Sequence, residues 1–416
     1  MAMLAIIVRR FLAVFLLLIA SASAQGPAPQ PPATPFVLGA PLYQLQPLPY
    51  SFEKPVSLVS VPDDGDRLLV VELGGLVRSV TDGEQDVEPF LNLVGRVTAL
   101  QGEQGMFSVA VEPRSAAALQ SRGRFAYAAY TEKGSGDLIV GRYPIDEATG
   151  RADAGGELVV LRVSVPEPFH HGGHLEFGPD GMLYVGVGNG ESSNHFLHEP
   201  PWSAPSRDTL RGKLLRLDVS GGWAEEHGYR IPPDNPYAAL PGALPEIYAS
   251  GFRNPWKFHF DPFTGELFLA DVGNDRYEEI NLVVAGADHG WPSLEGFECQ
   301  WFPDAPGFVD PACDPARFAA PLVAYAHLAL DPAGGQAVTG GVVSYDPELP
   351  DLVGAYLYGD FVTGRVWALP DGSTVPVPLV QATPGLTSIA SGPHGEVLVA
   401  YISGAVARIV PSSPSP

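Results

Sequence analysis

His170 and His171 stand directly before a glycine pair in the stretch HHGGHLEFGPDGMLYVGVGNG, which runs from His170 to Gly190. A histidine at a glycine-hinged turn can project into a cavity without neighbouring side chains blocking access. Its ordinary pKa suits it to take a proton near neutral pH, so the stretch is a candidate general-base site. With His174, three histidines also suggest zinc. Strand alternation sends neighbouring histidines to opposite faces, however, and no nearby carboxylate completes a ligand spacing, which argues against a metal there. The bland reading is one solvent-facing and one buried histidine.

Three other stretches carry groups with chemical reach. Gly251 to Trp256, GFRNPW, places Arg253 and Asn254 as fixed donors just before a proline that ends any regular element. Its plainer use is an arginine tied to a buried carboxylate. Gly102 to Gly105, GEQG, sets Glu103 between glycines, where it faces a pocket or caps a turn. Asp271 to Asn281, DVGNDRYEEIN, gathers carboxylates and Gly-linked carbonyls. Oxygen-rich loops of this kind suit calcium, although the spacing is not that of an EF-hand, and a solvated acidic turn fits nearly as well.

The elements that must hold these residues are short and β-type. Pro179-Asp180-Gly181 is turn chemistry between apolar runs, and it leads into a strand over Leu183 to Val187. The same unit of turn, small hydrophobic strand, glycine-containing turn and strand occurs six times. It covers Arg67–Glu72 with Leu76–Val80, Phe125–Thr131 with Asp137–Tyr143, and Leu183–Val187 with Leu214–Leu217. It then covers Leu267–Asp271 with Glu279–Val283, Tyr356–Asp360 with Arg365–Leu369, and Glu396–Tyr401 with Val406–Val410. The uneven spacing implies inserted loops. With 47 glycines, 43 prolines and no amphipathic helix pattern, the chain predicts an all-β fold, a six-bladed β-propeller with inserted loops. A sandwich or a two-domain β protein is the alternative. The histidine stretch belongs to the third blade.

Residues 1–24 read as a secretory signal: Arg9 and Arg10, the apolar run Phe11 to Ala20, then Ala22-Ser23-Ala24 before Gln25. Residues 25–36 read as a Pro-rich linker, 37–410 as one propeller domain and 411–416 as a disordered tail. A periplasmic or extracellular location follows, with no membrane span after cleavage. There Cys299 and Cys313 read by default as a disulfide. The net charge of −23 repels nucleic acid and anionic lipid. Only four lysines occur, Lys54, Lys133, Lys213 and Lys257.

Taken together, these motifs resemble the glucose/sorbosone dehydrogenase family, soluble quinoprotein sugar dehydrogenases on a six-bladed propeller. The resemblance runs from about Pro55 to Leu369. It is carried by GEQG (102–105), HHGGHLEFGPDGMLYVGVGN (170–189), LRGKLLRLD (210–218) and YRIPPDNPY (229–237). It continues through EIYASGFRNPWKFHFDP (246–262), DVGNDRYEEINLV (271–283), HGWPSLEG (289–296), and VTGG with YLYGDF between 338 and 361. It implies oxidation of an aldose at its anomeric carbon, with hydride passing to pyrroloquinoline quinone (PQQ) held beside Ca2+, and an external electron acceptor.

On this match His170 is the general base, and Asn189 stands where the family has an aspartate that orients that histidine. Arg253 and Asn254 match the pair that contacts the quinone carbonyls, with Arg253 stabilising the developing negative charge. Glu103 falls at a sugar-contacting position. Gly273 and Asn274 match positions whose carbonyls ligate the calcium, and Glu279 matches an acid at a second calcium site. Quinone-binding members carry a lysine and two arginines near the last two blades. The corresponding stretches here, 358–364 and 385–388, hold no cation. The motifs are also similar to propeller domains of the Hedgehog-interacting type, which implies the alternative of a propeller that binds a carbohydrate or protein ligand without catalysis.

Overall fold

The computed structural model describes residues 42–62, 64–98, 102–113, 123–191, 206–220, 228–299 and 313–412. The expected signal segment and linker, and residues 413–416 of the expected tail, lie outside the described residues; Pro411, placed in that tail, instead ends a strand. The described residues form six antiparallel sheets arranged as a propeller and a short hairpin that pairs Leu294–Glu295 with Glu298–Cys299. Each blade starts with an inner strand: Pro55–Ser60, Met106–Val111, Gly172–Phe177, Pro255–Phe260, Val338–Val343 and Leu386–Ser391. These six contact one another in sequence, and the last returns to the first, which closes a ring around the axis. The predicted strand pairs form the middle of the six blades, and His170 to Gly190 enters the third.

Six buried apolar clusters lie between adjacent blades, so the core is a ring of wedges. Period-2 alternation explains how one strand serves two of them. In Leu183–Val187, Leu183, Val185 and Val187 face the second blade, while Tyr184 faces the fourth. Strands buried on both faces must read as continuous apolar runs, which the chain supplies repeatedly. The final sheet is completed from both ends of the described chain, because Tyr43–Ser51 pairs with Ala405–Pro411. Cys299 and Cys313 are joined in a disulfide.

Every inner strand breaks register near its start. In four of them a single extra residue opposes no partner: Val56, Phe107, Trp256 and Thr387. A bulge bends its strand and re-aims one side chain. Three of these residues, Val56, Trp256 and Thr387, line a cavity at the mouth of the channel. The bulges therefore build the rim on which the polar loops converge.

Candidate active site

His170 lies in the loop that enters the third blade and takes φ = +53°, a left-handed conformation that costs a non-glycine residue about 1 kcal/mol. Several contacts hold it there. Its carbonyl accepts the Gly190 N–H at 3.1 Å, and its own N–H donates to Glu103 Oε2 at 2.8 Å. Its ring Nδ1 lies 3.0 Å from Asn189 Oδ1. That oxygen also accepts the Glu191 N–H at 3.2 Å, which fixes it as an acceptor and puts the ring proton on Nδ1. Nε2 therefore carries the lone pair. Burial, then the Arg253 charge, hold the His170 pKa down to about 3, so the ring is neutral at physiological pH.

The other predicted residues join the same network. Glu103 Oε2 also accepts from Asn254 Nδ2 at 3.4 Å, and Asn254 Oδ1 accepts the Gly172 N–H at 3.0 Å. One asparagine thus ties the entrance loops of blades two, three and four together. Burial raises the Glu103 pKa, against the pull of the His170 N–H, Arg253 and Asn254. Arg253 is buried; its Nη1 donates to the Val272 carbonyl at 3.0 Å and its Nη2 to Asn274 Oδ1 at 3.3 Å. The Arg253 carbonyl accepts the Asn189 N–H at 2.8 Å, which closes the circuit.

Two acids that sequence reasoning did not single out anchor this frame. Asp271 accepts the N–H groups of Arg253 (2.9 Å) and Asn254 (2.6 Å), and burial pushes its pKa up to about 7. Glu295 Oε1 accepts four consecutive N–H groups, from Asn274 to Tyr277, at 2.7 to 3.3 Å. Such a nest recognises a carboxylate through the main chain, so only the glutamate's position, twenty residues downstream, could have signalled it.

Above the network lies the channel-mouth cavity, about 250 Å³, lined by Glu103, Gln104, Asn254, Trp256, Thr339 and Phe361 among others. No lysine or arginine is among its described lining residues, and neither is His170. Glu103 is the one acid there. PQQ carries three carboxylates and needs charge-matched donors. A lining with one carboxylate and no cation does not fit it.

The calcium expectation meets a similar obstacle. Gly273 N–H donates to Glu278 Oε2 at 3.1 Å, and Asn274 N–H to Glu295. Glu279 accepts from Gly296 N–H (2.5 Å) and Asn281 Nδ2 (3.2 Å), and burial, then Asp271, raise its pKa well above the carboxylate range. Among the described residues no three His, Cys, Asp or Glu converge on a metal position. An ion here would rest on the Gly273 and Asn274 carbonyls without a carboxylate cage.

The propeller fold is shared with soluble sugar dehydrogenases of solved structure. The chain belongs to the Glucose / Sorbosone dehydrogenase family, which matches residues 52–370. It is 34% identical to the HIPL1 protein of Arabidopsis thaliana over 50% of this chain and 31% of that protein. It is 27% identical to Quinoprotein glucose dehydrogenase B of Acinetobacter calcoaceticus over 60% of this chain and 52% of that one. Against the Hedgehog-interacting protein of Mus musculus, identity is 28% over 64% of this chain and 40% of that protein. The matches thus span from under a third to about half of these relatives' own lengths. The soluble aldose sugar dehydrogenase of Escherichia coli shares the fold, with a TM-score of 0.69 at 22% identity, over 89% of this chain and 100% of that chain.

Proposed function

We propose that this chain uses the sugar-dehydrogenase scaffold to bind a neutral carbohydrate at the channel mouth. One observation carries the reading: the cavity pairs hydrogen-bonding groups (Glu103, Gln104, Asn254) with aromatic faces (Trp256, Phe361), and its described lining has no cation. Carboxylate and amide oxygens accept sugar hydroxyls, and aromatic rings cover the apolar face of a pyranose. The family and the quinoprotein relative support a sugar ligand. The Cys299–Cys313 disulfide and the signal-like segment support a periplasmic or extracellular location. No helix among the described residues is long and apolar enough to cross a membrane.

A second reading is favoured by the ring state of His170. Its proton is on Nδ1 and Nε2 is unprotonated, the form needed to take the proton of an anomeric hydroxyl. In that reading Arg253 and Asn254 would face the acceptor, Asn189 would orient the ring, and the Gly273 and Asn274 carbonyls, with Glu279 nearby, would hold calcium. Calorimetric titration of the protein with a panel of aldoses tests the first proposal. Binding is expected without quinone and weakens at least ~10-fold in Gln104→Ala, the loss of one or two hydroxyl hydrogen bonds. No heat with any neutral sugar overturns it. Reduction of an artificial dye with quinone, calcium and aldose, abolished by His170→Ala, would establish the oxidising reading instead.

A further inference from the structure

Below the mouth, the channel opens into a second cavity of about 270 Å³. All six inner strands line it, four of them with residues that follow those at the mouth. Its walls are largely aliphatic and aromatic, among them Leu58, Val111, Leu175, Phe258 and Ile389. At the outer end Pro62 is exposed and Ser60 and Ser391 are half-buried, so small molecules have a way in. The only titratable groups on its described walls are His174 and Glu176 from the third blade, and Lys257 and His259 from the fourth.

Lys257 has no role in the site above. The bulge at Trp256 sends that ring to the mouth and turns the next residue into the channel. The lysine is 5% exposed. Its Nζ donates to the Phe107 carbonyl at 3.3 Å and lies 5.3 Å from the Trp256 ring, and no carboxylate among the described residues pairs with it. A carbonyl and a ring face offset little of the cost of burying an ammonium, so the neutral amine is favoured, and burial alone brings the pKa down to about 7. Proton-transfer groups stand alongside. Burial, then the Lys257 charge, hold His174 down to about 4, and the His174 Nδ1 has no partner. His259 Nδ1 lies 3.1 Å from Glu176 Oε1.

We propose that Lys257 is a nucleophile that captures small aliphatic aldehydes in the channel as an imine. The amine nitrogen attacks the carbonyl carbon, and one N–H proton passes to the oxygen to give a carbinolamine. The hydroxyl then leaves as water, protonated through the imidazole groups, as the second N–H proton is released and the C=N bond forms. The step is reversible and consumes no oxidant. Desolvation is a known way to activate a lysine for this chemistry.

The test uses the chain's four lysines as internal controls. The folded protein is treated with butanal and sodium cyanoborohydride, and the modified lysines are mapped by peptide mass spectrometry. At pH 7, Lys257 is expected to be alkylated at least ~10-fold faster than the exposed Lys54 and Lys133, because an ordinary lysine keeps its proton to about pH 10. Its rate should level off above pH 7, and the preference should vanish in urea. Lys213 separates geometry from basicity. Burial holds it down to about 7 as well, but its Nζ donates to the Arg211 carbonyl at 2.7 Å and it lines neither cavity. It should stay unmodified. Labelling of Lys213 at a matching rate, or an unmodified Lys257 in the folded protein, overturns the proposal. Neither outcome bears on sugar binding at the mouth.

Discussion

At the residue scale, His170 combines a left-handed backbone, a buried ring and a fixed tautomer. Its folded pKa of about 3 lies below the unfolded value of 6.5. The unfolded chain therefore takes up a proton that the folded chain refuses. The stability this group retains at neutral pH is lost as pH falls from 6.5 toward 3. In His170→Gln that loss is absent, while the cost of the positive φ remains at every pH. The variant should thus lose less stability than the parent between pH 7 and pH 5, as read by denaturant unfolding at both values. Equal losses would show that the ring is solvated in the folded state. His170, Arg253 and Asn254 were legible in the sequence because glycines and a proline mark where loops must hold fixed side chains. Asp271 and Glu295 were not, because their partners are main-chain N–H groups and no pattern of side chains encodes that pairing.

At the scale of elements, the hairpin that carries the site depends on close backbone approach. A Cβ on Gly188 would lie 2.0 Å from the His170 carbonyl oxygen, which already accepts the Gly190 N–H. No flexible atom can give way there. Gly188→Ala should cost about 1–3 kcal/mol through forced backbone shifts and should disturb the His170–Asn189 contact with it. Thermal unfolding, with the histidine resonances as a local probe, checks both effects; an unchanged melting temperature would refute the argument. The six central strand pairs were legible because Pro-Asp-Gly and similar turns bracket short apolar runs, as at Leu183–Val187. The inner strands were harder. Met106–Val111 and Val338–Val343 are buried throughout, so no alternation marks them, and their bulges disturb the period further. The equally unreadable bulges of Pro255–Phe260 and Leu386–Ser391 are what aim Trp256 and Thr387 at the mouth.

At the scale of the whole molecule, the ring is held shut by one strand. Tyr43–Ser51 pairs with Ala405–Pro411 along most of its length. Its Tyr43 and Leu45 pack on the cluster between blades five and six, and its Leu48 and Tyr50 on the cluster between blades six and one. The strand therefore braces both flanks of the last blade as well as pairing its edge. A chain that begins at Phe52 would leave the outward-facing N–H and C=O groups of Ala405–Pro411 unpaired, while those facing Val397–Tyr401 stay paired, an edge that invites association with another copy. Its unfolding temperature should fall and it should sediment as oligomers at micromolar concentration. A synthetic peptide spanning residues 42–51 should restore both properties, since main-chain pairing and two apolar contacts on each flank are all it must supply. A monomer with the parent's unfolding temperature would mean that the six inner strands alone hold the ring closed.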